Sequence, residues 1–254
     1  MSLQYLSYIV NKKLEIALME STIWQRMKNF AQQKFDYTLL NPVPFVNSVR
    51  FGLDSTNNAL IGLQVKYKIN KSLVTYSQLM VDGFNSGPKM GIQIGAVAYH
   101  PFNLKNCSAR LEYNYVSPYS YTSSTKLQNY GHYNLPLAHP WGGGFNEFIL
   151  FLNWRYDDFF FENKWIYGNC KLINGSEYGK DIFLGPSPTI HHEVKFSQIV
   201  YCDLKLGYVI NPITNLRFNI GLTNYYRFNG KERNNSNYLY IGISTSLSNI
   251  YLDI

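Results

Sequence analysis

Apolar and polar side chains alternate one by one along eleven stretches of roughly ten residues each, the period of a strand whose two faces meet different surroundings. In Ala59–Ile69, the residues Ala59, Ile61, Leu63, Val65, Tyr67 and Ile69 fall on one face, with Gly62, Gln64, Lys66 and Lys68 on the other. Cys107–Ser117 sets Cys107, Ala109, Leu111, Tyr113 and Tyr115 against Ser108, Arg110, Glu112 and Asn114. Val200–Ile210 and Thr214–Phe228 repeat the pattern, placing Leu204, Leu206, Ile220 and Leu222 opposite Asp203, Lys205, Arg217, Asn219 and Arg227. Less regular runs over Leu3–Val10, Lys13–Thr22, Leu73–Asp82, Met90–Tyr99, Asn146–Arg155, Phe159–Gly168 and Asn237–Leu247 complete the predicted strands.

Period two does not say which face is dry, since soluble and membrane barrels write the same dyad. The connections separate them. Short turns at Asn11-Lys12, Asn70–Ser72, Pro101–Asn106, Asp157-Asp158 and Asn211–Ile213 alternate with longer segments at Ile23–Asn58, Gly83–Lys89, Pro118–Phe145, Asn169–Ile199 and Asn229–Ser236. Tight turns at one end and roomy loops at the other are the habit of a sheet closed within a bilayer, where every backbone group must pair. Trp24, Tyr99, Tyr119, Trp154, Tyr156, Tyr167, Tyr225 and Tyr238 sit at strand ends, where an interfacial girdle is expected. The prediction is all-β: an antiparallel transmembrane β-barrel over 1–254, with outer loops 23–58, 118–145 and 169–199. Eleven strands place the chain's two ends on opposite sides, whereas bacterial barrels normally have an even number. Met1–Val10 also lacks a basic n-region and a small-residue cleavage site. The expectation is part of a larger barrel, with further strands and an export signal upstream.

Composition agrees with a wall that meets lipid. Aromatic residues make up 17% of the 254 and charged residues only 15%. No run is long and apolar enough for a spanning helix. The net charge of +7 is scattered over strands and turns without a nucleic-acid motif, so no nucleic-acid partner is expected. Cys107, Cys170 and Cys202 are too few and too spread for a disulfide framework. Between the strands, Trp24–Phe35 has weak helical spacing, and Phe45–Leu53 lacks a clean apolar face for a further spanning strand.

The densest special segment is Asn129–Gly144, with Tyr130, His132, Tyr133, Asn134, His139 and Trp141. One reading is a structured loop whose Pro and Gly set its turns and whose His and Tyr bond backbone groups. The other is a glycan site, with aromatic faces stacking on sugar rings and Asn and His bonding hydroxyls. Gly142-Gly143-Gly144 leads into a strand and not a helix N-terminus, which removes the basis for phosphate binding. His191-His192-Glu193 reads as surface clustering, and no metal-ligand spacing or nucleophile motif occurs. Neither an enzyme nor a cofactor is expected. The polar strand positions Lys66, Lys68, Arg110, Glu112, Lys164, Lys205, Arg217 and Arg227 are the candidate lumen lining.

Leu39–Val43, Asn58–Leu63 with Lys66–Asn70, Asn129–Trp141, Tyr178–Leu184 and Leu247–Ile254 resemble the RemB-type gliding-motility outer-membrane proteins of Bacteroidota, grouped with the Wzi-like capsule-assembly barrels. The resemblance covers the whole chain but only the C-terminal half or so of a family member. It implies a barrel of about eighteen strands when whole, located in the outer membrane. It also implies a role in capsule or surface-polysaccharide assembly or in motility, with polysaccharide and motility or secretion proteins as partners. The ending at Ile254 departs from the terminal aromatic usual in such barrels. A solute channel with an anion preference, a surface scaffold for motility adhesins and a soluble β protein are the alternatives.

Overall fold

The computed structural model describes residues 1–24, 27–28, 31–32, 40–46, 48, 58–83, 89–123, 125–173, 176–177, 179–183 and 194–245. Eleven long strands form one meander: β1 Ser2–Ile9, β2 Leu14–Ile23, β3 Asn58–Lys68, β4 Leu73–Val81, β5 Met90–Tyr99, β6 Cys107–Val116, β7 Phe145–Tyr156, β8 Phe159–Ile173, β9 Val194–Asn211, β10 Leu216–Phe228 and β11 Arg233–Ser244. Each pairs antiparallel with its chain neighbours, so the spatial order is the sequence order. Every predicted strand is present.

The short turns work by the chemistry of their first residue. Asn11 Oδ1 accepts from the backbone N–H groups of Lys13 (2.8 Å) and Leu14 (3.0 Å). Asn70 Oδ1 does the same for Ser72 and Leu73, both at 2.8 Å, and Asn211 Oδ1 for Ile213 at 2.9 Å. An Asx carboxamide that satisfies the turn's own donors closes a hairpin without help from the rest of the fold. Asp157 begins its two-residue turn at φ 50°, a left-handed value that Asp tolerates better than most residues.

Register divides the sheet into two unlike faces. The row Leu206, Ile220, Ile241 and the row Leu204, Leu222, Leu239 run across β9, β10 and β11 on one side. Further along the same side lie Leu63 opposite Leu79, and Leu111 opposite Leu150 opposite Trp165. Leu63, Leu111, Leu150, Trp165, Leu206, Leu222, Leu239 and Ile241 are all exposed. The opposite face carries Glu112, Asn114, Glu147 and Asn219, all buried. One face thus exposes rows of apolar side chains, while the other buries carboxylates and amides.

Four expectations are corrected. First, among the described residues the sheet is not closed: β1 and β11 each pair on one side only. Ten successive antiparallel pairings leave these two strands pointing the same way, so they could meet only as a parallel pair. Second, instead of a helix near Trp24–Phe35, Met27–Lys28 pairs antiparallel with Ala31–Gln32. Partial helical spacing without a cap does not outweigh a ribbon that pairs the backbone directly. Third, β8 and β9 run past Gly168 and begin before Val200, pairing Cys170 with Ser197. Both residues are fully buried on the polar face, where Leu172 and Ile199 are buried as well, so at this end that face takes apolar side chains and the dyad is lost. Fourth, only Trp154, Tyr156 and Tyr167 of the strand-borne aromatics at strand ends belong to the apolar face, in register with Phe161, Phe159 and Phe148. Tyr99, Tyr225 and Tyr238 pair with Ser108, Tyr201 and Thr223 on the polar face, because alternation fixes their side whatever their chemistry.

Residues 49–57, with most of the segment predicted not to span, lie outside the described residues, as do His191, His192 and Glu193. Before that gap the chain folds over the apolar face of β1 and β2. There the fully buried Glu20 accepts from the backbone N–H groups of Phe45 and Ser48, each at 2.8 Å. Gln4 Nε2 donates to the Asn41 carbonyl nearby (3.1 Å).

Candidate functional site: the polar face and its loop cap

All eight candidate lining residues lie on the one polar face. Lys66 stands opposite Glu15, Lys68 is two positions along β3, and Arg110 stands opposite Phe151, itself opposite Lys164. Lys164 faces Asp203, Lys205 faces Glu162, and Arg217 and Arg227 lie on the same side of β10. Most of these charges are engaged with neighbours. Glu162 receives Lys205 at 3.0 Å and Arg217 at 3.6 Å, and Glu15 receives Lys66 at 3.6 Å. The Arg110 guanidinium lies 4.1 Å over the Phe151 ring, and Arg217 lies 5.0 Å over Phe160.

Glycines shape this face in a way that alternation does not reveal. Gly95 on β5 lies between Tyr76 of β4 and Glu112 of β6 in register. The Tyr76 ring lies over Gly95, where a Cβ would overlap it, and its hydroxyl donates to Glu112 Oε2 two strands away. Gly221 repeats the device: the Tyr240 ring crosses it and the hydroxyl reaches Asp203 at 3.3 Å. A missing side chain gives a tyrosine a flat path to a carboxylate beyond the next strand.

From Glu112 a buried polar chain continues. Asn114 Nδ2 donates to Glu112 Oε1 and to Glu147 Oε1, both at 2.9 Å, and so bridges two carboxylates. His139 Nε2 also meets Glu147 Oε1 at 2.9 Å. The His139 Nδ1 accepts from the Trp141 backbone N–H at 3.2 Å, so the ring proton sits on Nε2 and is donated to Glu147.

His139 belongs to the cap, residues 117–144 folded over the polar face at its long-loop end. Tyr121 and Tyr130 of the cap, with Ile182 of the next long loop, pack on Leu60, Met80 and Phe145 of the wall. The Tyr130 hydroxyl donates to the Ser21 carbonyl at 2.6 Å and lies 3.3 Å from that of Asn58. Burial pushes both the Tyr121 and Tyr130 hydroxyls well above the ordinary tyrosine range, and the nearby Asp82 carboxylate adds to this. The two loops are knitted together by Tyr119 N–H to Gly179 O (2.9 Å) and Asn129 Nδ2 to Ile182 O (2.6 Å). Gly142 and Gly144, at φ 68° and 70°, turn the chain back into β7.

The six candidate glycan residues therefore divide. Tyr130 is 3% exposed, His139 is engaged with Glu147, and the Trp141 ring lies over Gly168 between the cap and β8. These three belong to the structured-loop reading. His132, Tyr133 and Asn134 are exposed on a small hairpin in which Gly131–His132 pairs with Leu135–Pro136. Tyr133 and Asn134 form its tip with φ 47° and 61°, and Tyr133 is 88% exposed beside the His132 ring. Asn114, Tyr76 and Gln78 carried no motif. Their only sequence signal was a polar residue at each inward position of a dyad.

Compared with protein-family models, curated proteins and solved structures, the chain matches none.

Proposed function

We propose that the chain forms wall and loop cap of an outer-membrane β-barrel that serves surface-polysaccharide assembly or gliding motility, binding glycan at the His132-Tyr133-Asn134 tip. One observation carries the membrane reading: the wall presents its leucines and isoleucines outward while burying glutamates and asparagines. In water that arrangement leaves a large apolar area solvated at about 25 cal/mol per Å², and proteins that expose such patches use them as contact surfaces. In a bilayer the same face is satisfied. A strand of ten residues at about 3.3 Å per residue, tilted, matches an apolar band about 25 Å tall. The aromatic cluster of Trp154, Tyr156, Phe159 and Tyr208 beside the short turns is suited to the headgroup boundary. The cap favours a plugged barrel over an open conduit, since Tyr130 and Ile182 pack onto the wall at its long-loop end.

The test uses single-tryptophan variants in vesicles containing lipids brominated on the acyl chain. Trp165, on the apolar face, is expected to be quenched strongly, and Trp141, under the cap, weakly. Quenching of Trp141 without Trp165 refutes the orientation. Alanine at His132, Tyr133 and Asn134 together is expected to abolish capsule-polysaccharide pull-down with the cap intact, and retained binding removes the glycan role.

A further inference from the structure

We propose that the cavity between the polar face of β4–β7 and the loop cap binds a protonated amine carried on a compact hydroxylated ring, for which a hexosamine is the simplest ligand. The cavity holds about 340 Å³, at the small end of the range for small-molecule sites. Charge points to what it takes. Glu147 and Glu112 are buried carboxylates that line this cavity, 2% and 9% exposed, yet among the described residues neither has a lysine or arginine within ion-pair distance. Glu15 and Glu162, which are far more exposed, do have such partners. A buried carboxylate left without a cation costs several kcal/mol, so burial and pairing are here arranged the wrong way round for stability.

The hydrogen bonds leave the same vacancy. Glu147 Oε1 accepts from Asn114 and His139, while Glu147 Oε2 accepts from no described residue, although the side chain lines the cavity. Gln78 and Gln93 face each other across β4 and β5 and also line it. Neither amide has a hydrogen-bond partner among the described residues. Two carboxylates suit one cationic centre, two open amides suit neighbouring hydroxyls, and Met80 with Phe145 supplies apolar surface for a ring face. A metal ion fits less well, because no group of three His, Cys, Asp or Glu among the described residues is placed to hold one. The site lies beneath the cap, away from the exposed hairpin tip, and depends neither on glycan binding there nor on lipid at the apolar face.

The experiment measures equilibrium binding of glucosamine, glucose and calcium chloride to the full chain in detergent. Glucosamine is expected to bind at least about tenfold tighter than glucose, the difference being the charged contact. Glu147→Gln is expected to erase that preference and Glu162→Gln to keep it. Gln93→Lys, which puts a cation into the cavity, is expected to block glucosamine and raise the melting temperature. Equal binding of the two sugars overturns the proposal, as does displacement of glucosamine by an equimolar amount of calcium. A preference that survives Glu147→Gln overturns it too. Should Glu147→Gln not fold, a folded Gln93→Lys that still binds glucosamine does the same. Loss of bromolipid quenching at Trp165 would leave these outcomes unchanged, so the two readings fail separately.

Discussion

Gly95→Ala puts one methyl group where the Tyr76 ring lies. The ring must swing away, which removes the hydroxyl from Glu112 and leaves that buried carboxylate with Asn114 as its remaining hydrogen-bond donor. Losing a hydrogen bond to a charged group costs about 1.5–3 kcal/mol, and a displaced rotamer adds about 0.5–1.5 kcal/mol. Alanine gives back about 0.4–1 kcal/mol by restricting the unfolded chain. The net expectation is a loss of about 1–4 kcal/mol, or roughly five- to a thousand-fold in the folding equilibrium. Urea unfolding in detergent, followed by circular dichroism, measures it. The decisive comparison is the double-mutant cycle with Tyr76→Ala. Without the ring, Gly95→Ala has nothing to displace and is expected to be neutral or slightly stabilising. An equal loss in both backgrounds refutes the account, because the cost would then lie in the strand backbone.

Leu222→Arg, at the middle of the apolar face, is expected to cost about 2–4 kcal/mol in lipid vesicles; a change within about 0.5 kcal/mol, as for an ordinary surface site, refutes lipid contact. Tyr130→Phe removes the bonds to the Ser21 and Asn58 carbonyls and is expected to cost about 1–2 kcal/mol. Limited proteolysis should show faster cleavage within residues 118–144 and an unchanged wall. Phenolate absorbance should show Tyr121 and Tyr130 still protonated above pH 10.0, the ordinary tyrosine value. Their folded values are raised above the unfolded one, so the stability they lend is complete below about pH 10 and declines as pH rises beyond it. Deprotonation of both at the ordinary tyrosine value would mean that the cap is open.

Strand number, strand order and the side on which each wall residue lies were legible in the sequence, because those properties are local. Alternation assigns Lys164 and Trp165 to opposite faces whatever else the chain does, and Asn11, Asn70 and Asn211 close their hairpins through neighbouring N–H groups. The cap was not legible. Tyr130 and Tyr133 share one loop and one chemistry, yet the first bonds Ser21, 109 residues away, and the second stands in the open. Nothing within the loop distinguishes them. The bridging of Glu112 and Glu147 by Asn114, and the path of Tyr76 over Gly95, likewise depend on which strands become neighbours and in what register. Backbone geometry settles a residue's side within two positions, whereas its partner is settled only when distant segments meet.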